Sequence, residues 1–400
     1  MLQGKTVILG VTGGIAAYKI PNVARMLKKM HCNVHVIMTE NACNFITPTT
    51  FETLTGNKCL IDTFDRNFEF SVEHVALAKQ ADLVLLAPAT ANVIGKLAGG
   101  IADDMLTTTV IACPCKIMIA PAMNHNMYLN PIVQDNISKL KKFGYEFIDP
   151  VTGMLANGDI GNGKLPEEEL LVEYVIKELA FEKDLSGKKV LITAGPTKEP
   201  IDPVRFITNH SSGKMGYALA KMAILRGAKV QLVTGPVSIK PPQFAQLIHV
   251  TTAQQMYDEV IKHACEQDII IKAAAVADYR PKTMSCEKVK KSSSELSLTL
   301  TGTKDILKTL GEKKKSGEIS AYLCGFAMET EDLIKNAGEK LQRKNADMIV
   351  ANNLKEPGAG FETDTNVLTM ITKNDTKALP LMSKEEAANE ILDQIVKNTR

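Results

Sequence analysis

Two sets of residues in this 400-residue chain have types and spacings suited to chemistry. In the first half, Asn124 follows a short apolar run, Ile117 to Ala120, that stops at Pro121. A run bounded in this way reads as a buried strand of a parallel sheet, and ligands of such sheets sit beyond the carboxyl ends of the strands. The loop Pro88-Ala-Thr-Ala-Asn92 follows the apolar run Asp82 to Ala87 in the same manner. His74 lies in a helical pattern with Leu77, Ala78 and Ala81. A lone histidine on such a face is ordinarily structural. Two polar strand-end loops, carrying Thr90, Asn92 and Asn124, make it a candidate proton acceptor near neutral pH. A carboxamide such as Asn124 holds a carboxylate without adding charge.

The second half carries a different set. Asn209-His-Ser-Ser-Gly-Lys-Met-Gly216 precedes a helical pattern. A Walker loop needs Gly at 208, where Thr stands, and Ser or Thr at 215, where Met stands. A P-loop is rejected, and a non-classical nucleotide loop stays open. Lys288, Lys290 and Lys291 form a charge run whose ordinary meaning is a solvated loop. Lys340 and Lys344, at i and i+4, share one helix face. With Asp278 at a strand end, these cations suit a nucleoside triphosphate with Mg²⁺, although spacing alone does not establish it. His31, His35, His74 and His125 lack the spacing and Cys partners of a metal cage.

The elements that position these residues alternate between strand and helix. Thr6 to Val11 reads as a strand, followed by Thr12-Gly13-Gly14 and a helical pattern from Ile15 to about Met30. Asn33 to Met38 reads as the next strand. Glycines at the first turn allow backbone N–H groups to approach an anion. Without a GxGxxG pattern, a tight strand-to-helix turn explains them equally. Asn41 to about Phe64 is helical or mixed, and Ser71 to Lys79 is a helix. Thr107 to Ile111 is ambiguous between helix and strand. Asn130-Pro131 opens a helix to about Phe143. Val151 to Gly163 reads as a glycine-rich loop, a lid or clamp. Pro166 at N1 and Glu167 to Glu169 open a helix that ends near Glu182.

The pattern then restarts. Gly187-Lys-Lys-Val-Leu-Ile echoes Gly4-Lys-Thr-Val-Ile-Leu, Lys229 to Val233 echoes Asn33 to Ile37, and Ile269 to Asp278 echoes Leu83 to Asn92. Two Rossmann-like parallel-sheet domains are expected, 1–182 and 189–400, with 183–188 as linker. The insertion Gly195 to Gly216 is long enough to be functional. Arg280 to Glu295 reads as a mobile basic loop, and Thr330 as the N-cap of a helix through Lys344. Ser383 and Glu386 form a capping box.

Composition narrows the function classes. The chain is 45% hydrophobic and 23% charged, as in soluble globular proteins. A net charge of +2 implies no bulk attraction to nucleic acid or membrane. Trp is absent and aromatics are 5%, which argues against stacking platforms for single strands. The eight Cys are scattered, and Cys113 and Cys115 are too close for an ordinary disulfide, so reduced thiols and a cytoplasmic location are expected. No signal-peptide pattern opens the chain.

The combination GVTGGIAAYK, EHVALAKQADLVLLAPATANVIGKLAGGIADDML, APAMNHNM, ITAGPTKEPIDPVRFITNHSSGKMGYALA, AAAVADYRP, EKVKK, GFAMETE and ANN strongly resembles one family over essentially the whole chain. This is the family of phosphopantothenoylcysteine decarboxylases fused to phosphopantothenate–cysteine ligases, which act in coenzyme A biosynthesis. The resemblance implies a flavodoxin-like FMN-binding decarboxylase domain, with FMN against Gly13, Gly14, Ile15, Thr39, Ala89, Thr90, Ala91, Asn92 and Thr107. His74 matches the catalytic base and Asn124 the substrate-carboxylate contact. In the family, flavin oxidises the cysteinyl thiol to a thioaldehyde, carbon dioxide leaves, and the resulting enethiol is reduced by the same flavin. Trimeric sites are implied, as are twelve-copy assemblies, with dimeric ligase domains.

For the second half the resemblance implies a CTP-dependent ligase. The carboxylate of 4′-phosphopantothenate attacks CTP, and cysteine then displaces CMP from the acyl-cytidylate. Positions matching CTP contacts are Lys272, Ala273, Ala274, Asp278, Lys288, Lys304, Asp305, Ile306, Leu307, Phe326, Lys340 and Lys344. Lys288 matches the lysine needed to form the acyl-cytidylate, and Asn209 the residue needed for its conversion. Metal ligands stay open, with Asp278 a candidate through Mg–CTP.

One departure concerns the clamp. The family's Ala-Cys-Gly is Ala156-Asn157-Gly158 here. That Cys donates the final proton, and a carboxamide is no useful acid near neutral pH. Three readings follow: another group or water supplies the proton, the reaction stops at the enethiol, or the first domain is impaired. The intact remaining motifs favour the first. A phosphatase-binding flavoprotein regulator is disfavoured by the fused ligase and retained His74. A dinucleotide dehydrogenase is disfavoured by the lack of GxGxxG.

Overall fold

The computed structural model describes residues 1–64, 73–154, 158, 160–290, 296–329, 332–353 and 363–399. They form two compact units, Met1–Phe181 and Glu182–Arg400.

In the first unit the strands are β1 (Thr6–Val11), β2 (Asn33–Met38), β3 (Cys59–Leu60), β4 (Leu83–Ala89), β5 (Lys116–Pro121) and β6 (Glu146–Phe147). They build one parallel sheet in the order β3-β2-β1-β4-β5-β6. Every residue of β4 is buried, and each fully buried Leu or Val contributes about 1.5–3 kcal/mol. The helices are α1 (Ile20–Lys29), α2 (Pro48–Thr55), α3 (Glu73–Gln80), α4 (Ala91–Gly99), α5 (Met105–Ala112), α6 (His125–Leu129), α7 (Pro131–Lys142) and α8 (Glu168–Leu179). The strand order reverses between β1 and β4. The carboxyl ends of these two strands therefore flank the crevice where a doubly wound sheet receives its ligand.

Several local expectations change. Within the expected loop, β7 (Val151–Met154) and β8 (Ile160–Lys164) pair as antiparallel strands. Their glycines allow close approach to a neighbouring backbone, a use of Gly in strands that composition alone disguises as loop. The pattern from Ile15 begins as a 3-10 turn, Ile15–Lys19, before α1. The ambiguous Thr107 segment is helical, held by an Asp104–Thr107 capping box. Pro166 precedes α8 instead of occupying its first turn, because Glu167 is the N-cap.

The second unit contains β9 (Lys189–Ala194), β10 (Lys198–Pro200), β11 (Phe206–Thr208), α9 (Lys214–Leu225), β12 (Lys229–Thr234), β13 (Gln246–His249) and α10 (Ala253–His263). Then come β14 (Ile269–Lys272), β15 (Tyr279–Pro281), β16 (Leu300–Gly302), α11 (Ile306–Lys315), β17 (Tyr322–Glu329), α12 (Leu333–Arg343) and β18 (Met348–Asn353). The chain ends through β19 (Thr365–Asn366), β20 (Leu368–Thr372), β21 (Thr376–Ala378), β22 (Met382–Ser383) and α13 (Lys384–Thr399). The main sheet runs β13-β12-β9-β14-β17-β18-β20-β21. It is parallel through β18 and antiparallel in its last two strands. The switch point lies between β9 and β14.

The internal echo in the sequence has a structural counterpart. Asp82 accepts the Thr6 N–H at 2.7 Å at the foot of β1. Asp268 accepts the Lys189 N–H at 2.8 Å at the foot of β9. Asp347 accepts the Leu323 N–H at 2.7 Å beside β17. Each aspartate satisfies a backbone donor that the ladder leaves open at a strand start.

Residues 183–188 are fastened within the second unit. Arg226 is buried and pairs with Asp184 and, at 2.6 Å, with Asp393 on α13. Asp332 is the N-cap of α12, while Thr330 lies outside the described residues. The Ser383–Glu386 capping box is present, with Glu386 N–H to Ser383 Oγ at 3.2 Å and Ser383 N–H to Glu386 Oε2 at 2.9 Å.

Candidate functional sites

At the switch point of the first unit lies a cavity of about 680 Å³, a size typical of cofactor sites. Its lining includes Gly13, Gly14, Ile15, Thr90, Ala91 and Asn124. Six of the sequence-derived positions, from three strand ends, therefore meet at one cavity. Thr12 joins two of those ends: its hydroxyl donates to the Pro88 carbonyl at 2.7 Å and accepts the Thr90 N–H at 3.0 Å. A Cβ on Gly13 would stand 2.5 Å from the Cβ of Asn41, so only glycine brings the turn after β1 against the turn after β2. Thr39 begins that second turn, and its hydroxyl oxygen is buried with no hydrogen-bond partner. An orphaned buried hydroxyl beside a glycine turn fits a polar group of a bound cofactor.

Asn124 is the N-cap of α6, and its Oδ1 accepts the Asn126 N–H at 2.9 Å. With that oxygen committed, the NH₂ end is the one a ligand carboxylate would meet. Met123, Met127, Met154 and Leu165 make the wall apolar, and Lys19 and Lys164 bring cations to it. These residues carried no spacing signal, because the cavity collects them from distant turns. Strand β8 packs on the Asn124 segment. Met123 N–H donates to the Gly163 carbonyl at 3.0 Å, and Asn162 N–H donates to His125 Nδ1 at 3.0 Å.

Other expected positions stand apart from this lining. Ala89 is buried at the end of β4 and Asn92 is exposed on α4. Thr107 is fully buried, and its hydroxyl donates to Asp104 Oδ1 at 2.9 Å. His74 is half-buried on α3. Asn157 lies outside the described residues.

In the second unit, five expected positions form one charged cluster. Lys344, 9% exposed, pairs with Asp305, the N-cap of α11. Burial opposes the Asp305 carboxylate, but the Lys344 ammonium, the Lys308 N–H at 2.9 Å and Lys272 outweigh it and hold its carboxyl below the ordinary value. Lys272, at the end of β14, has its pKa pushed down to about 8, first by burial and then by Lys340; Asp305 and Asp278 partly oppose this. Lys340 donates to the Phe326 carbonyl at 3.0 Å. Lys304 stands 4.7 Å from the Tyr257 ring centroid, a cation–π distance. Ile306 and Leu307 are core residues whose side chains face inward to the hydrophobic cluster. Asp278 and Lys288 are exposed, and Asn209 Nδ2 donates to the Val276 carbonyl at 3.1 Å.

Ala273, Ala274 and Phe326 line a smaller cavity of about 130 Å³ with Ser211, Ser212, Lys214, Asn352 and Lys384. Asn352 and Asn366, both on its wall, have buried Oδ1 atoms with no partner. The loop Ser211 to Gly213 leads directly into α9 and lines this cavity together with Ala273 and Ala274, which follow β14. Among the described residues, no group of three or more His, Cys, Asp or Glu is placed to hold a metal ion. Among them also, no helix is long and apolar enough to cross a membrane.

Fold and family together define a two-part flavoprotein class. The Flavoprotein family matches residues 1–180, and the DNA/pantothenate metabolism flavoprotein C-terminal domain matches 185–399. The coenzyme A biosynthesis bifunctional protein CoaBC of Bacillus subtilis (strain 168) is 50% identical over 399 residues, covering 99% of this chain and 97% of that protein. The protein of the same name from Escherichia coli (strain K12) is 41% identical over 398 residues, covering 99% and 97%. A crystal structure of the C-terminal domain of such a protein is 46% identical, with a TM-score of 0.47, covering 55% of this chain and 98% of that one. The chain belongs to the family of bifunctional coenzyme A biosynthesis enzymes, with a decarboxylase-type flavoprotein domain followed by a ligase domain.

Proposed function

We propose that the second unit joins 4′-phosphopantothenate to cysteine at the expense of CTP, and that the first decarboxylates the product to 4′-phosphopantetheine with FMN. The observation that carries the reading is the meeting of Gly13, Gly14, Thr90 and Asn124 at one switch-point cavity. The Lys272–Asp305–Lys344 cluster beside the other switch point supports the ligase half.

In the first unit FMN would be held by Gly13, Gly14, Ile15, Thr39 and the Ala89 to Asn92 turn. When bound, it supplies reversible two-electron oxidation of the substrate's cysteinyl arm. The Asn124 amide N–H holds the substrate carboxylate without a formal positive charge. A cation there would stabilise the carboxylate and oppose its loss as carbon dioxide. The methionine side chains give the substrate arm an apolar wall. His74 accepts a proton; it is not among the described residues that line the cavity, and in a trimeric arrangement a second copy would deliver it. Exposed Ile15 and Tyr18 at the rim suit such a trimeric contact. Overall, the carboxylate leaves as carbon dioxide and one proton is taken up.

In the second unit a carboxylate oxygen attacks the α-phosphorus of CTP, and the bond to the β-phosphate oxygen breaks as pyrophosphate leaves. The cysteine amine then attacks the acyl carbon and CMP leaves. Lys272, Lys340 and Lys344 meet phosphate charge, Lys288 meets charge developing at the α-phosphate, and Asn209 serves the second step. Mg²⁺ would arrive with CTP and offset its phosphate charge, with Asp278 the residue that would meet it. Dimeric ligase domains, larger assemblies of the trimers and a cytoplasmic location complete the reading.

Asn157 favours a second reading of the first unit, arrest at the enethiol. Extraction of FMN from the purified protein, and CMP release from CTP that needs both 4′-phosphopantothenate and cysteine, test the proposal. Absence of bound FMN would overturn the first half, and absence of CMP the second.

A further inference from the structure

Asp202 is a charged residue with 2% exposure in the long insertion between β9 and α9. One of its carboxylate oxygens closes a local turn, accepting the Val204 N–H at 2.8 Å and the Arg205 N–H at 2.7 Å. The other oxygen reaches across 87 residues and accepts the Val289 N–H at 3.2 Å. Arg205 completes the arrangement. Its guanidinium pairs with Asp202 at 3.0 Å and donates to the Val289 carbonyl. Both backbone groups of Val289 are therefore held by one ion pair. A third tie runs alongside, from Ser285 N–H to the Ile201 carbonyl at 3.0 Å.

Val289 directly follows Lys288, whose own side chain is exposed. The same insertion continues through β11 to Asn209. We infer that Asp202 is a positioning residue for the ligase: by fixing Val289 it sets the reach of Lys288 relative to Asn209, and so serves acyl-cytidylate formation without touching substrate. The inference rests on the proposed role of Lys288. A long flexible side chain on an exposed loop has many useless placements, and misplacement by about 1 Å can cost about 10²-fold in rate. Burying a carboxylate only to close a surface turn is a poor use of a charge, since an asparagine or serine closes such turns without the desolvation cost. The second oxygen, spent on Val289, accounts for the charge. Burial alone would raise the Asp202 pKa; the three backbone N–H groups and Arg205 instead hold it below the ordinary carboxyl range.

The test compares Asp202→Asn, Val289→Pro and Lys288→Gln in the full-length protein, singly and with each of the first two combined with the third. Val289→Pro removes the N–H and leaves Asp202 in place, which covers the case that Asp202→Asn does not fold. Two rates are read: pyrophosphate release from CTP with 4′-phosphopantothenate, and consumption of supplied acyl-cytidylate by cysteine. Asp202→Asn and Val289→Pro are expected to slow pyrophosphate release at least about tenfold, leave the second rate within about twofold, and add nothing to Lys288→Gln. Equal loss of both rates would show a merely structural role and overturn the inference. A normal pyrophosphate rate in both Asp202→Asn and Val289→Pro, with Lys288→Gln impaired, would overturn the inference alone. A normal rate in Lys288→Gln would overturn the reading of Lys288 and the inference with it.

Discussion

Met123 and Gly163 lie backbone against backbone: Met123 donates its N–H to the Gly163 carbonyl at 3.0 Å, and a Cβ on Gly163 would stand 2.2 Å from the Met123 carbonyl oxygen. Gly163 also has φ +134°, which side chains rarely adopt. This contact seats β8 on the segment that presents Asn124. Gly163→Ala is expected to cost about 1–3 kcal/mol locally and to reduce decarboxylation while leaving CMP release unchanged. Parallel assays of both activities on one preparation check it; equal loss of both would show general unfolding.

Asn124→Asp keeps an N-cap acceptor for the Asn126 N–H, and Asp caps helices as well as Asn does. The added negative charge would repel the substrate carboxylate. Decarboxylation should fall about 10²-fold, with the melting temperature unchanged, since like-charge contacts cost several kcal/mol. A variant that keeps its rate would remove Asn124 from the carboxylate site.

With Lys272 in its proposed place at the CTP phosphates, the ligase is expected to depend on pH. Its folded-state pKa of about 8 lies below the usual 10.5, so the ammonium is present below pH 8 and lost above it. CTP should bind with proton uptake near pH 8, and KM for CTP should rise as pH increases through that value. Between 8 and 10.5 the unfolded chain holds a proton that the folded chain does not, so this lysine's contribution to stability improves with rising pH over that window. Lys272→Met should abolish the pH dependence of KM.

Asp305 both caps α11 and partners Lys344. Asp305→Ala removes a cap worth about 1 kcal/mol and leaves a nearly buried ammonium with less compensation. The side chain of Asp305 is 46% exposed, so the loss should stay near ~1–2 kcal/mol. Denaturant unfolding reads the stability, and KM for CTP should rise in the same variant.

The central strands were legible because strands buried on both faces are mostly apolar, with polar residues such as Asn33, His35, Lys229 and Gln231 confined to one end. Thr6 to Val11, Asn33 to Met38 and Lys229 to Val233 all stand out in the sequence, and the echo between the two halves reappears as β1-β2-β4 against β9-β12-β14. The β7–β8 pair was not legible, since its glycines serve contacts with Met123 and His125 that no local pattern encodes. Asn124 was visible as a strand-end carboxamide. Lys19, Met127 and Met154, on the same cavity, were not, because their roles arise only when distant turns converge. The depressed pKa of Lys272 likewise depends on burial beside Lys340, a feature of packing alone.

In the proposed function, one chain carries both activities to completion. Mass spectrometry of the products after supplying 4′-phosphopantothenate, cysteine, CTP and Mg²⁺ tests it most directly. CMP, pyrophosphate and 4′-phosphopantetheine are expected. Accumulation of 4′-phosphopantothenoylcysteine, or of a product lighter than 4′-phosphopantetheine by two hydrogens, would contradict it.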